Sequence, residues 1–176
     1  MNKAVLDQMW DQFRQKYGVY LRLLEAFPAD KLATHPVAGM RTPAELVAHV
    51  CGTIVRDIPE GVAKGRITAE ESEETKAAGE LSDTATLLAF ARRCWEQGDA
   101  AVQRVGDAEL GAMVGTPWGS SWLGAVAFHV MSDEFMHHRG QLYAMARGCG
   151  VAPPFLWSYG ENAPEFQPRE AAAAGA

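Results

Sequence analysis

The chain has no run of lysine or arginine, no apolar stretch of transmembrane length and no segment with a convincing strand pattern. Each absence removes a class of function. Lys and Arg number 16 against 22 Asp and Glu, a formal net charge of −6. Nucleic acid and anionic membrane surfaces both call for a basic patch, so neither is expected as a partner, and DNA binding ranks last among the functions considered. No apolar run approaches the roughly 20 residues of a membrane-crossing helix. The opening residues Met1 to Gln8 are amphipathic and lack the apolar region of a secretion signal. Cysteine is also scarce: Cys51, Cys94 and Cys149 are odd in number and widely spaced. This pattern leads to the expectation of free thiols in a cytoplasmic protein. There are no internal repeats.

What is present is helical. At 48% hydrophobic and 22% charged residues, 176 residues suffice for one domain around one core. Apolar residues recur at spacings of three and four from Lys3 to Phe27, including Leu6, Trp10, Phe13, Tyr17, Tyr20 and Leu24. A second helix opens at Thr42-Pro43-Ala44-Glu45, where Thr42 can cap, Pro43 can take the first helical position and Glu45 can complete a capping box. Pro59 and Gly61 are expected to close it. A third begins near Ser82 to Thr84 and runs to about Val105, weakened at Gly98. A fourth spans about Ser121 to Arg147, with Gly148 or Gly150 able to cap its end.

The connection from Gly61 to Leu81 is long for a helical protein, and a connection of that length lets the helices on either side of it run parallel. Its acidic stretch Thr68 to Glu74 reads as a short surface helix or a solvated loop. Residues 1–160 are expected to form the domain, with Pro153 to Trp157 folding back onto it. Residues 161–176 are read as a tail, the Ala-rich end from Glu170 as frayed.

The most informative stretch is Glu134-Phe135-Met136-His137-His138-Arg139-Gly140-Gln141. Residues four apart share a helix face, so Glu134 and His138 stand one above the other. On a helical projection Leu123, Ala127, Val130, Met131, His138, Gln141 and Met145 fall within about 60° of Glu134, which places that carboxylate in an apolar stripe. His137 falls on the shoulder, and His129 is directed to solvent, a loop or a second subunit. On the second helix His49 is central to the stripe of Leu46, Val50 and Thr53. Cys51 lies about 200° around from His49 and is excluded as a co-ligand.

Polar groups in apolar stripes need partners. Two histidines and a carboxylate on facing helices suit a catalytic Zn²⁺ or Fe²⁺ and are tolerated by Ni²⁺. A buried network with Arg139 or Arg147 is the alternative at this point, and His137 is open as a replacement ligand. Trp118, in the turn Gly115 to Gly119, is either a plain turn residue or the lining of a pocket mouth.

Arg41-Thr42-Pro43-Ala44-Glu45-Leu46-Val47-Ala48-His49-Val50 and His137-His138-Arg139-Gly140-Gln141-Leu142-Tyr143 give the chain a resemblance to the DinB-like family over about residues 5 to 160. The turn Pro117-Trp118-Gly119 and the exit Gly150 to Pro154 also look familial. The resemblance implies an all-α four-helix bundle, up-down-down-up, with the long crossover between helices 2 and 3. It implies a divalent metal (Zn, Ni or Fe) held by three residues, usually all histidine. Two matching positions are His49 and His138; the third family histidine falls on Glu134, which adds an anion to the site and makes bound water less acidic.

Relatives include transferases and isomerases that use low-molecular-weight thiols, and many resemble homodimers. The expected function is therefore a metal-dependent enzyme of thiol S-transferase or hydrolase type acting on a small molecule. The alternative is a non-enzymatic, stress-associated bundle that binds a small molecule or assembles as a dimer. Supporting roles are expected for Arg139 toward an acidic group, Gly140 in close helix packing and Gln141 as a hydrogen-bond partner.

Overall fold

A computed structural model describes residues 1–168. They are mostly helical, and no described helix is long and apolar enough to cross a membrane. Helix α1 (Lys3–Glu25) buries Leu6, Trp10, Phe13, Tyr17, Tyr20 and Leu24 as the spacing requires. The second helical run is one continuous element in three parts: α2 (Pro43–Ala48), a π-helical segment (His49–Asp57) and α3 (Ile58–Lys64). The Thr42–Glu45 capping box forms in both directions. Pro59 does not end the run. It stands at the second position of α3, where the helix resumes its ordinary pitch, and the run ends at Gly65 in the left-handed region.

Helix α4 (Glu71–Glu80) occupies the acidic connection and packs on α2. Helix α5 (Thr84–Val102) starts from an Asp83–Thr86 capping box. A short α6 (Asp107–Gly111) leads into strand β1 (Met113–Gly115), which pairs antiparallel with β2 (Ser121–Leu123). Helix α7 (Gly124–Gly148) follows. The hairpin corrects the sequence reading, which extends the fourth helix back to Ser121 and finds no strands. Ser121 to Leu123 instead pair with Gly115 to Met113, and Ile67 N–H donates to the Gly115 carbonyl. Three-residue strands are too short to announce themselves by alternation.

Helix α1 packs against α5 and α7, and the second helical run packs against the same two. Between them Trp10, Phe13, Tyr17, Tyr20, Trp95 and Phe135 form a continuous aromatic core, with Phe13 and Phe135 edge to face at 4.6 Å. Leu156 and Val151 return to the core edge as expected of a fold-back, whereas Phe155 and Trp157 stay exposed. Residues 161–168, placed in the tail by sequence, carry Asn162 and Phe166, both buried; the Asn162 side chain donates to the Gln15 and Phe166 carbonyls. The expectation of fraying from Glu170 falls outside the described residues.

Gly98, which weakens α5 in isolation, is there for packing. A Cβ at this position would collide with the Val55 carbonyl oxygen of the facing π-helical segment. Pro59, four residues after Val55, has no N–H to give that carbonyl. Gly98→Ala is therefore expected to destabilise the protein by about 1–3 kcal/mol, despite alanine's better helix propensity. Urea unfolding measures this; an unchanged or raised midpoint contradicts the close approach.

Candidate metal centre

His49 begins the π-helical segment, an irregularity that often marks functional sites. Its ring meets that of His138 on α7 edge to face, with centroids 4.9 Å apart. One ligand atom each from His49, Glu134 and His138 can be chosen so that no two are more than 4.8 Å apart, an arrangement that fits a divalent metal. His138 Nε2 lies 3.3 Å from Glu134 Oε2. The three residues singled out by sequence thus converge.

Glu134 does not sit where the stripe places it. Its side chain is 48% exposed, against 14% for His138 and 18% for His49. The buried face of α7 runs through Phe128, Met131, Phe135, Arg139, Leu142 and Met145, so it is rotated away from Glu134. The projection leaves Arg139 outside the stripe, whereas the structure puts it on the buried face. Arg139 is 5% exposed, its guanidinium lies 5.9 Å from the Phe135 ring centre, and its Nη1 has no hydrogen-bond acceptor among the described residues. Burial lowers its pKa from the ordinary arginine value. Arg139 therefore faces the core rather than an acidic group at the site. Gly140 is exposed, and a Cβ added there would meet nothing within 4 Å, so glycine is not needed at this position for close packing.

The nitrogens of the two imidazoles that point away from the cluster are both engaged. His49 Nδ1 is 2.8 Å from Glu74 Oε2. Burial alone pushes the Glu74 carboxyl up. The hydrogen bond and charge of His49, the Arg41 guanidinium and the Thr53 hydroxyl outweigh that and hold it below its ordinary value of 4.5. An ionised carboxylate only accepts, so the proton is on His49 Nδ1 and, in the neutral ring, Nε2 keeps its lone pair. Arg41 Nη1 holds the other Glu74 oxygen at 2.6 Å, and Thr53 Oγ1 donates to Oε2 at 3.1 Å. His138 Nδ1–H donates to Gln141 Oε1 at 2.9 Å, while Gln141 Nε2 donates to His137 Nε2, also at 2.9 Å. His137 is occupied by that bond and stands outside the cluster. Gln141 has the supporting place expected of it; His129 is exposed.

Glu74 is the residue that sequence reasoning misses. It belongs to an acidic run that reads as solvated, and only the packing of α4 on α2 brings it to His49. The length of the connection is its one signal in the sequence.

Beside the cluster lies a pocket of ≈ 340 Å³. Ile54, Ile58, Val130 and the stacked pair Trp118 and Trp122 form its walls, and His49, Thr53 and Glu134 stand at its polar side. Trp118 therefore does line a pocket. The cysteines are not part of the site: burial pushes the Cys51 thiol far up and the Cys94 thiol to about 11, so neither is a ready nucleophile.

Burial holds His138 below its ordinary 6.5; the charges of His49 and His137 act the same way, and the Gln141 bond and Glu134 oppose them. Between that lower folded value and 6.5 the unfolded chain binds more protons than the native one. The His138 contribution to metal-free stability is present above pH 6.5 and lost as pH falls through the folded value. Urea melts at about pH 7.5 and 5.5, on either side of the ordinary histidine value, test this in wild type and His138→Gln. The pH dependence should be shallower in the variant.

A mostly helical protein with two imidazoles and a carboxylate gathered between its second and last long helices belongs to the class of helical proteins with a candidate divalent-metal centre. Residues 12–142, well over half of the chain, match the DinB superfamily model, and the chain belongs to that superfamily. A comparison with curated proteins finds no match.

Proposed function

We propose that the chain is a divalent-metal enzyme of the hydrolase type, with the ion held by His49 Nε2, His138 Nε2 and the Glu134 carboxylate. The observation that carries this reading is the pair of preset imidazoles, each with Nδ1 tied to an acceptor outside the cluster. This is the arrangement that orients metal-binding histidines. A tetrahedral ion with bonds of roughly 2.1 Å needs its ligands about 3.4 Å apart. The Glu134–His138 separation of 3.3 Å meets that, and Glu134, the most exposed member, is freest to adjust. Two nitrogens and one oxygen suit Zn²⁺, Fe²⁺ or Ni²⁺.

When bound, the ion supplies Lewis acidity and acidifies water, and Glu134 in place of a third neutral histidine moderates that acidity. The protein's own residues do the rest. Glu74 and Gln141 fix the imidazoles, and Ile54, Ile58, Trp118, Trp122 and Val130 set an apolar wall beside them. Among the described residues the walls carry no Lys or Arg, which counts against a thiol cofactor bearing several carboxylates and favours hydrolysis over thiol transfer. The same reading takes α1, the second helical run, α5 and α7 as a four-helix bundle in up-down-down-up order. The packing of α1 and the second run on the same two helices supports it.

A metal-loaded sample is expected to hydrolyse a neutral aryl ester such as 2-naphthyl acetate, with turnover at least about tenfold lower after chelation and in His138→Ala. Full metal occupancy without metal-dependent turnover of any neutral ester would instead favour the pocket as a small-molecule binding module.

A further inference from the structure

We infer that the pocket beside the cluster recognises a small aromatic group that carries no negative charge, and that such a group forms the non-reacting part of the substrate. The second half of this inference rests on the metal reading above; the first rests on the pocket alone. At ≈ 340 Å³ the pocket is about twice the roughly 150 Å³ cavity that a benzene ring fills. It therefore has room for a fused bicyclic ring or one ring with a short chain.

The walls choose the chemistry. Trp118 and Trp122 stack with centroids 5.5 Å apart and planes 25° from parallel, and they present indole surface to the pocket. Ile54, Ile58 and Val130 complete an apolar surround. A planar π system gains from stacking on such rings beyond the area it buries. An anion gains nothing: among the described residues the lining holds no Lys or Arg, and the Glu134 carboxylate repels negative charge. Polar groups occur on one side only, at His49, Thr53 and Glu134, so a seated ring would direct any polar substituent toward the cluster.

Trp118 is the discriminating residue. It is 53% exposed and lies in the hairpin loop next to Gly119, whose φ of 78° turns the chain between β1 and β2. An exposed loop tryptophan contributes little to the core, so its replacement tests recognition without threatening the fold.

The experiment is calorimetric titration of metal-free protein with 2-naphthol, naphthalene-2-sulfonate and glutathione, alongside a Zn²⁺ titration of the same preparation. The expected result is that 2-naphthol binds at least about tenfold more tightly than either anionic probe. Trp118→Ala should weaken it by about tenfold or more and Trp118→Phe should restore most of the loss, with Zn²⁺ binding unchanged in both variants. Equal or tighter binding of naphthalene-2-sulfonate or glutathione would overturn the inference, as would 2-naphthol binding that is absent or indifferent to Trp118→Ala. If Zn²⁺ fails to bind while the naphthol pattern holds, the metal reading fails and the recognition of the aromatic group stands.

Discussion

His138→Ala should weaken binding of a divalent ion by at least about two orders of magnitude. Structural four-ligand zinc sites bind with roughly 10–16 kcal/mol, or about 3 kcal/mol for each ligand, and about 1.4 kcal/mol is a factor of ten. His138 is the least exposed of the three candidate ligands and lies 3.3 Å from the Glu134 carboxylate. Removing it leaves one imidazole and a half-exposed carboxylate, a pair that does not close around an ion. The fold should survive, because the α7 core contacts are made by Phe128, Met131, Phe135 and Leu142 rather than by His138. Calorimetric titration of wild type and variant near neutral pH, with circular dichroism to confirm the fold, measures the effect. A loss smaller than about tenfold in a folded variant places the ion elsewhere.

Glu74→Gln should lower metal affinity by about 10- to 100-fold without touching a ligand. The carboxylate accepts from His49 Nδ1, from Thr53 and from Arg41, and those interactions keep it ionised. An amide of the same shape can still accept through its oxygen, but it carries no charge to strengthen the imidazole as a donor. Its NH₂ also faces Arg41, which needs an acceptor. Glu74→Ala goes further, leaving the His49 Nδ1–H and the Arg41 guanidinium unpaired and the ring free to turn. Affinity should fall in the order wild type, Glu74→Gln, Glu74→Ala. Equal affinities would mean that Glu74 is an ordinary surface carboxylate.

The limits of the sequence as a guide are specific. The capping box at Thr42, the helical period that places His49 and His138 on inward faces, and the supporting place of Gln141 all follow from local rules that tertiary contacts leave intact. Glu134 is reached for a partly wrong reason: the spacing to His138 is right, but the apolar stripe is centred elsewhere. Arg139 stacked over Phe135 behaves as part of the core, and no pattern of residue types announces a buried guanidinium. Glu74 is invisible because an acidic run on a long connection looks the same whether it faces water or a histidine. Its role depends on where α4 docks, and that contact links residues 25 positions apart. Pro59 misleads for a related reason. Proline ends an ordinary helix, whereas here the π-helical segment before it changes the pitch and lets the run continue to Lys64.

The metal centre is tested by elemental analysis of protein purified without a nickel column and reconstituted with Zn²⁺, Fe²⁺ or Ni²⁺. The expected result is one equivalent of divalent metal per wild-type chain and its loss in folded His138→Ala and His49→Ala. A wild-type chain that takes up no metal, or variants that keep a full equivalent, would contradict it.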